Sequence, residues 1–588
     1  MMDFSYISLG DQYPNINSLF NSGMIGFDVE TTGTHIYKSS HLGSSFAHRR
    51  EDAYYVPCTH PFNMLLLDEN KVKVAHNASF DRSMMKKAGI TINKNLVCTQ
   101  VAAQMVQNAR MPSRIDANGQ VSYDLGNSPL SLYVQSMKWN GFRVLRYSEL
   151  GIDKRQNLAT VDNDFLCEYS GPHSIATLLL WQRLEHELRM TGTYNAYMDI
   201  EMPFLPVISD IEYNGVMVDE KILIEIENTI NAQLDVLESA LDYYAGVSGM
   251  NHNSPDQVRW LLYEKLNLPK PKFSTKKGTK PSVDKGLIVD LIDKHPYISP
   301  YLKYKELMTL RNSYTTSLRN DICSDGRVYG KFNQTGTGTG RLSSSGPNLQ
   351  KIPSRSTLGK LIRRAFVAPD GCVMVKVDWD QLELRMVAMV AGITGLVDAF
   401  KEGRDPHQET GDRMFKTLTD AKERRKKGKT KNFQMVYGGG SAEDKRLLDE
   451  AYPELNIWKK NYIDHCIETG CGYTLGGRKR VLPELKSSRK TIVDAGGREA
   501  VSTCIQGTSS EEVKKGMTRC WEKTKDSDVK MVLQVHDEAV FECPVNMLYD
   551  LLEVIHDTMP SFDTKVPLTV GIEIGDSWGN VKEVSFKG

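Results

Sequence analysis

Nothing in the 588 residues forms an apolar run long enough to cross a membrane. The N-terminal stretch MMDFSYISLGDQYP has no basic patch followed by an apolar core, so no secretory signal is expected. Cysteine is sparse. Ten are scattered along the chain, and the nearest pair, Cys466 and Cys471, has no companion Cys/His pair at zinc-ligand spacing. A disulfide scaffold and a zinc ribbon are thereby disfavoured, and free thiols in a reducing cytoplasm are the expectation. An excess of one charge is missing too: 73 Lys plus Arg face 73 Asp plus Glu. A neutral total still admits nucleic acid as a partner, but it requires any basic surface to be local. Repeats are absent, and so are heptads sustained enough for a coiled coil.

What is present reads as globular. Apolar residues make up 40% and charged residues 25%. The length exceeds what one core supports, so three or more domains are expected. Up to about residue 195, strands and helices alternate, from GMIGFDVETTG to a long helix, as in an α/β domain. Residues 111–128 read as a loop. From about 200 to 325 the pattern is mostly helical, with long polar faces, broken by the loop KPKFSTKKGTKPS. Beyond 326 strands return, with a helical block from about 380 to 525 between them.

Three groups of residues carry chemistry. In FDVETTG, Asp28 and Glu30 face the same way on a strand. Two such carboxylates repel unless a cation neutralises them; a solvated strand end is the plainer alternative. In HNASFD, Asp81 falls where a short strand enters a helix. Carboxylates from separate elements at one edge suit two Mg²⁺ or Mn²⁺ ions, spaced about 3.5–4 Å apart for phosphodiester chemistry. In VMVKVDWDQLELR a strand delivers Asp378, and in MVLQVHDEAVFE a hairpin turn carries His536, Asp537 and Glu538. Paired strand-end aspartates of this kind scaffold two-metal nucleotidyl transfer.

Between them lies KERRKKGKTKNFQMVYGGG. Arg425, Lys429, Phe433 and Tyr437 recur every four residues, and the drift of about 40° per step keeps all four within a stripe of about 120° on one helix. Two cations then two aromatics offer charge for a polyphosphate and rings for a base and sugar. The alternative is a solvated basic helix with its aromatics in the core. Upstream, TGTGRLSSSGPNLQKIPSR is a small, polar loop whose Arg341, Asn348 and Gln350 are donors suited to sugar and groove edges.

Together these stretches resemble the A family of DNA polymerases, relatives of bacterial DNA polymerase I. DWDQLELR resembles the family's motif A, the pattern from Arg425 to Gly438 its motif B, and VHDE its motif C. TGRLSSSGPNLQKIP, REAVSTCIQGTSSE and IEMPFLPVISDIEYNGVMVD resemble further family blocks, in the family's order. The resemblance implies an α/β and α+β multidomain chain. It divides into a ribonuclease H-like 3′–5′ exonuclease-type domain (1–195), the start of the polymerase region with a mostly helical thumb (196–330), the first part of the palm (331–395), fingers (396–514) and the second part of the palm (515–588).

The resemblance also implies roles. Asp378 and Asp537 would hold the two Mg²⁺ ions, with Mn²⁺ an alternative and Glu538 in support. Arg425 and Lys429 would hold the triphosphate, Lys429 also serving as an acid for the pyrophosphate. Phe433, Tyr437 and Gln381 would face the nucleotide. Glu383 would crowd the ribose 2′ position and hydrogen-bond Tyr437. Arg341, Asn348, Gln350, Arg498, Gln506 and His536 would contact primer–template DNA. Ser502 stands where the family often has Asn. With no 5′-nuclease domain expected ahead of the exonuclease-type part, the resemblance implies a compact form like the replicative polymerases of bacteriophages. That implies a monomer in a host cytoplasm, working with dNTPs and with replisome partners such as a helicase, a primase, or a single-strand-binding or processivity factor.

One stretch departs from the family. In EYSGPHSIATLLLW, Tyr169 and His173 share a helix face. Asp28, Glu30 and Asp81 resemble the first three acids of the family's 3′–5′ exonuclease, whose third motif is Tyr, three residues, then Asp. His173 stands in place of that Asp. A related class places Asp five residues after a His, but Leu178 is there. Glu168 lies about 140° around the helix and Asp162 about three turns away. Neutral imidazole is a poor Mg²⁺ ligand, so weak or lost exonuclease activity is expected. Two other readings stay open: a single-subunit RNA polymerase, which Glu383 argues against, and a non-catalytic DNA-binding protein.

Overall fold

The structure is a computed structural model that describes residues 3–6, 16–109, 129–152, 157–271, 281–354, 356–437, 439–560 and 564–586. The loop read at 111–128 and the centre of the one at 270–282 lie outside the described residues, as do Gly438 and the side chain of Tyr437.

The N-terminal part is built on a six-stranded mixed sheet. Its spatial order is Asp3–Tyr6, Asp52–Pro57, His41–Ala47, Met24–Thr31, Val72–Ala75 and Leu96–Cys98. Met24–Thr31 is central, antiparallel to His41–Ala47 and parallel to Val72–Ala75. The 29-residue helix Asn163–Thr191 lies across this sheet. Asp162 caps its start by accepting from the Phe165 amide, and Gly192 ends it in the left-handed conformation. The helix sits very close to the sheet: a Cβ at Gly26 would lie 2.8 Å from Cβ of Leu178. Position 178 is therefore a packing position.

The described residues between 202 and 325 are largely helical. In Glu220–Ala245 the buried residues are Leu223, Ile226, Ile230, Leu234, Leu241 and Ala245, one apolar stripe at helical spacing under a polar face. A five-stranded antiparallel sheet follows, in the order Lys530–Val535, Glu538–Pro544, Cys372–Trp379, Val570–Ser577 and Asn580–Val584. Its central strand comes from one part of the sequence and its neighbours from another, separated by the helical block. One short hairpin among the described residues, Cys471–Tyr473 with Lys479–Val481, lies within the stretch expected to be a long helical block. The cause is local: Gly476 and Gly477 make the turn, with Gly477 at φ +91°.

Two helices of the block, Pro406–Met414 and Ala421–Tyr437, pack almost backbone to backbone, because glycines meet at the crossing. A Cβ on Gly428 would lie 2.6 Å from the Gly411 nitrogen. All ten cysteines are free thiols. Among the described residues no helix is long and apolar enough to cross a membrane.

Candidate active site

The central strand Cys372–Trp379 brings Asp378 opposite Glu538 on the neighbouring strand. Asp537 joins them because the hairpin turn is only two residues long, with His536 at φ 58°. The Trp379 amide donates to the Asp537 carbonyl at 3.1 Å, fixing the turn beside the strand end. Burial pushes Asp378 up to about 7, and the charges of Asp537 and Glu538 add to the effect while Lys376 opposes it. Burial likewise raises Asp537 and Glu538 above the usual carboxylate range, again against Lys376. Raised values on three neighbouring acids, Glu538 buried and Asp378 and Asp537 half-buried, mark a place short of positive charge. The hard oxygen donors of Asp378 and Asp537 fit a divalent cation.

Glu538 is tied down. Its Oε1 accepts from the Trp578 indole, and its Oε2 lies 3.6 Å from Lys376 Nζ and 3.8 Å from an Arg363 Nη1. The Arg363 guanidinium in turn stacks on Trp578, 3.9 Å from the ring centroid. Sequence reading missed Lys376, Arg363 and Trp578. The signal for Lys376 was there: strand positions 376 and 378 face the same side.

Over Asp537 opens a cavity of about 490 Å³, lined by Arg341, Gln381, Glu383, Lys429, Phe433 and His536 among others. Gln381 enters it because it sits at φ 50° between strand and helix. Arg385 locks that junction: its Nε donates to the Asp380 carbonyl at 2.7 Å and its Nη2 to Thr569 Oγ1 at 2.8 Å. Arg341 hydrogen-bonds Oε1 of Glu383, while Oε2 of Glu383 is buried without a hydrogen-bond partner. The Tyr437 partner expected for Glu383 lies outside the described residues. Lys429 and Phe433 project from the same helix, but Arg425 does not line the cavity. Its Nε is 2.5 Å from Asp405 Oδ2 at an exposed position. His407, another residue the sequence reading missed, lines the wall beside Asn432.

A second cleft, of about 810 Å³, runs between the helices near 305–314 and this sheet. Lys285, Lys305, Lys351 and Arg363 line it together with Gln350 and His536. Four cations against Glu306 make this cleft locally basic. Gln350 donates to Oε1 of Gln534 at 2.7 Å, and Oδ1 of Asn348 is buried without a hydrogen-bond partner. Arg498 is exposed on the helix Lys490–Ser502, and Gln506 is half-buried just beyond it; neither lines the two cavities.

In the N-terminal sheet, ligand atoms of Asp28, Glu30 and His173 all lie within 4.8 Å of one another. His173 Nδ1 is 3.4 Å from Asp28 Oδ2 and 4.0 Å from Glu30 Oε1. Its other ring nitrogen, Nε2, lies 2.9 Å from the Leu145 carbonyl, and Tyr169 packs edge-on with ring centroids 4.7 Å apart. Asp81 is not part of this tight group, which differs from the three-acid set expected. It is buried in the first turn of Ala78–Lys87 and bonded by the Val29 backbone. Burial and the Asp28 charge hold its pKa well above the usual value.

Burial pushes Glu30 up to about 8, with the Asp28 charge adding. Burial would lower His173, but its hydrogen bond to Asp28 and the charges of Asp28 and Glu30 prevail and hold it above its ordinary value. A protonated His173 occupies the cluster as a cation. A neutral one offers Nδ1 to a metal, provided Nε2 keeps its proton on the Leu145 carbonyl.

The architecture is of the right-hand class, a ribonuclease H-like domain followed by palm, fingers and thumb. Residues 220–580 match the family model "DNA polymerase family A", and residues 14–189 match "3'-5' exonuclease". The chain belongs to DNA polymerase family A. It is 34% identical over 422 residues to the thermostable DNA polymerase I of Thermus aquaticus, covering 69% of this chain and 50% of that one. It is 29% identical over 601 residues to DNA polymerase I of Pseudomonas aeruginosa, covering 96% and 64%. The chain thus spans half to two thirds of the length of these relatives. A solved structure described as the POL domain of Pol1 from M. smegmatis, in complex with DNA primer-template and dNTP, has the same fold. Its TM-score is 0.84 at 24% identity, with 98% and 99% of the two chains covered.

Proposed function

We propose that this chain extends a primer 3′ end by template-directed addition of dNTPs. The observation that carries the proposal is the cavity where Glu383, Lys429 and Phe433 converge over Asp537, next to Asp378. In this reading Asp378 and Asp537 hold two Mg²⁺ ions, with Mn²⁺ as a substitute. Bound there, such ions activate the primer 3′ oxygen and stabilise the leaving pyrophosphate. Lys429 places a cation over the triphosphate and stands where a proton is needed on the leaving group. Phe433 offers its face to the base, and Gln381 borders the sugar. Arg425 reaches the triphosphate by leaving Asp405. Arg341, Asn348, Gln350, Arg498, Gln506 and His536 meet primer–template DNA, which enters along the basic cleft. The division at residues 195, 330, 395 and 514 belongs to the same proposal.

Glu383 makes the sugar choice. It is held by Arg341 at the cavity wall, where a 2′-OH would meet a buried carboxylate. Primer extension with dNTPs and with rNTPs tests this. The wild type should use dNTPs and discriminate against rNTPs. Glu383→Ala should raise relative rNTP use about tenfold or more, a loss of about 1.4 kcal/mol of discrimination. An unchanged ratio contradicts the assignment.

The exonuclease-type domain is proposed to hydrolyse 3′ ends weakly or not at all in Mg²⁺, because His173 fills a place that would otherwise bring negative charge. A role in bacteriophage replication, in host cytoplasm, as a monomer with helicase, primase and single-strand-binding or processivity partners, rests on the sequence resemblance alone.

A further inference from the structure

Lys376 sits in the floor of the polymerase site and has no part in the chemistry proposed above. It lies two strand positions before Asp378 and so faces the same side. Its ammonium is 2.6 Å from Glu573 Oε2 on the neighbouring strand and 3.6 Å from Glu538 Oε2 on the other. Glu573 is paired to position 376 by register, Lys376 opposite Glu573, so the tether is built into the sheet. The ammonium side chain is 16% exposed, and its charge acts through protein rather than through water. Glu538 is restrained on the same side by the Trp578 indole and Arg363. Lys376, Trp578 and Arg363 together hold both oxygens of the Glu538 carboxylate.

We propose that Lys376 is an internal counter-cation of the polymerase site: anchored by Glu573, it holds Glu538 and sets how tightly Asp378 and Asp537 take divalent ions. Glu538 is then a tethered neighbour of the metal site and not a ligand. Lys376 is a positioning residue, acting through Glu538 and through its charge. The inference rests on the metal-holding role of Asp378 and Asp537.

Charge bookkeeping gives opposite signs for two substitutions, which no general loosening of the fold reproduces. Lys376→Met removes a cation beside the aspartates, so divalent ions bind more tightly. Glu573→Gln removes the anion that offsets Lys376, so they bind less tightly. The double variant restores the balance, and Lys376→Arg keeps it. The probe is Mn²⁺, with free ion followed by electron paramagnetic resonance in the full chain. An Asp28→Ala background removes the exonuclease-type cluster. The expected shifts in Kd are about three- to tenfold tighter for Lys376→Met and looser by a similar factor for Glu573→Gln. The double variant and Lys376→Arg should stay within about twofold of the parent. The Mg²⁺ concentration for half-maximal primer extension should move in the same directions.

Weaker or unchanged Mn²⁺ binding by Lys376→Met overturns the proposal. If that variant does not fold, the looser binding predicted for Glu573→Gln, whose side chain is 35% exposed, decides alone, and unchanged or tighter binding there overturns it. Asp378→Ala separates this inference from its premise. If that variant keeps the parent's Mn²⁺ affinity, the metal role of the aspartates fails. If it loses affinity while the Lys376 and Glu573 variants do not shift, only the counter-cation fails.

Discussion

At the scale of single residues, the fate of His173 depends on protons. Glu30 is raised by burial to about 8, so between its ordinary value and that point the folded chain holds a proton the unfolded chain has lost. Unfolding releases it, and stability falls as pH rises through this window. His173 has the same sign. Its raised folded value gives a contribution that is full below the ordinary histidine value and is lost as pH climbs through the folded one. In chelator, calorimetric stability of the wild type should therefore drop between about pH 5 and 8. Glu30→Gln should flatten the slope, and an unchanged slope contradicts the assignment. His173→Asp should restore a four-acid set and raise Mg²⁺-dependent digestion of an end-labelled single strand by about tenfold or more, leaving primer extension intact. Vigorous digestion by the His173 protein, abolished by Asp28→Ala, would show that imidazole suffices. The placing of Asp28 and Glu30 on one face, and of Asp378 and Asp537 at strand ends, was legible in the sequence because apolar alternation marks the strands and positions two apart share a face; whether such acids are solvated ends or a site was not. For Lys376 the alternation gave its side of the strand but not its ion pairs, since a lysine in an alternating strand looks like a solvent-facing residue. The separation of Asp81 from the tight cluster was not legible either, since it depends on a backbone contact from Val29.

At the scale of elements, the helix Ala421–Tyr437 was readable from its four-residue stripe. The sequence could not tell whether the stripe points to solvent or to a cavity. That is decided at Gly411 and Gly428, where two helices touch and fix the rotation of the one bearing Lys429. The stripe also splits: Lys429 and Phe433 reach the cavity, while Arg425 turns to Asp405. If the helix serves the nucleotide, Lys429→Ala should raise the apparent Kd for dNTP about ten- to a hundredfold in single-turnover extension and change primer–template affinity about twofold at most. A loss confined to primer–template affinity would mark a helix that faces DNA.

At the scale of the whole molecule, the two parts meet in a buried ionic network with no sequence signature. Glu201 accepts from Arg478 at 2.5 Å and from Lys514 at 2.6 Å, with all three side chains at most 2% exposed. Burial would raise Glu201, but Lys514 and Arg478 lower it to about 2. Gln104 of the N-terminal part accepts from Arg478 at 3.2 Å and donates to the Thr337 carbonyl at 3.0 Å. The network thus links that part to the loop bearing Arg341. Glu201→Gln should cost about 3–5 kcal/mol, because it leaves two buried cations short of an anion. Thermal unfolding with primer extension on the same sample checks this; a loss below about 1 kcal/mol would mean that water reaches the site. The order of family blocks made the broad architecture legible. Contacts joining residues 104, 201, 337, 478 and 514 arise only on folding.

The central claim is that Asp378 and Asp537 together make this chain a primer-extending enzyme. Single-turnover extension of a primed template with dNTPs and Mg²⁺, with DNA binding measured in parallel, tests it most directly. The wild type should extend the primer. Asp378→Ala and Asp537→Ala should each lose about a thousandfold or more in rate while binding primer–template within a few-fold of the wild type. Extension by Asp537→Ala at the wild-type rate, or no extension by the wild type, would contradict the account.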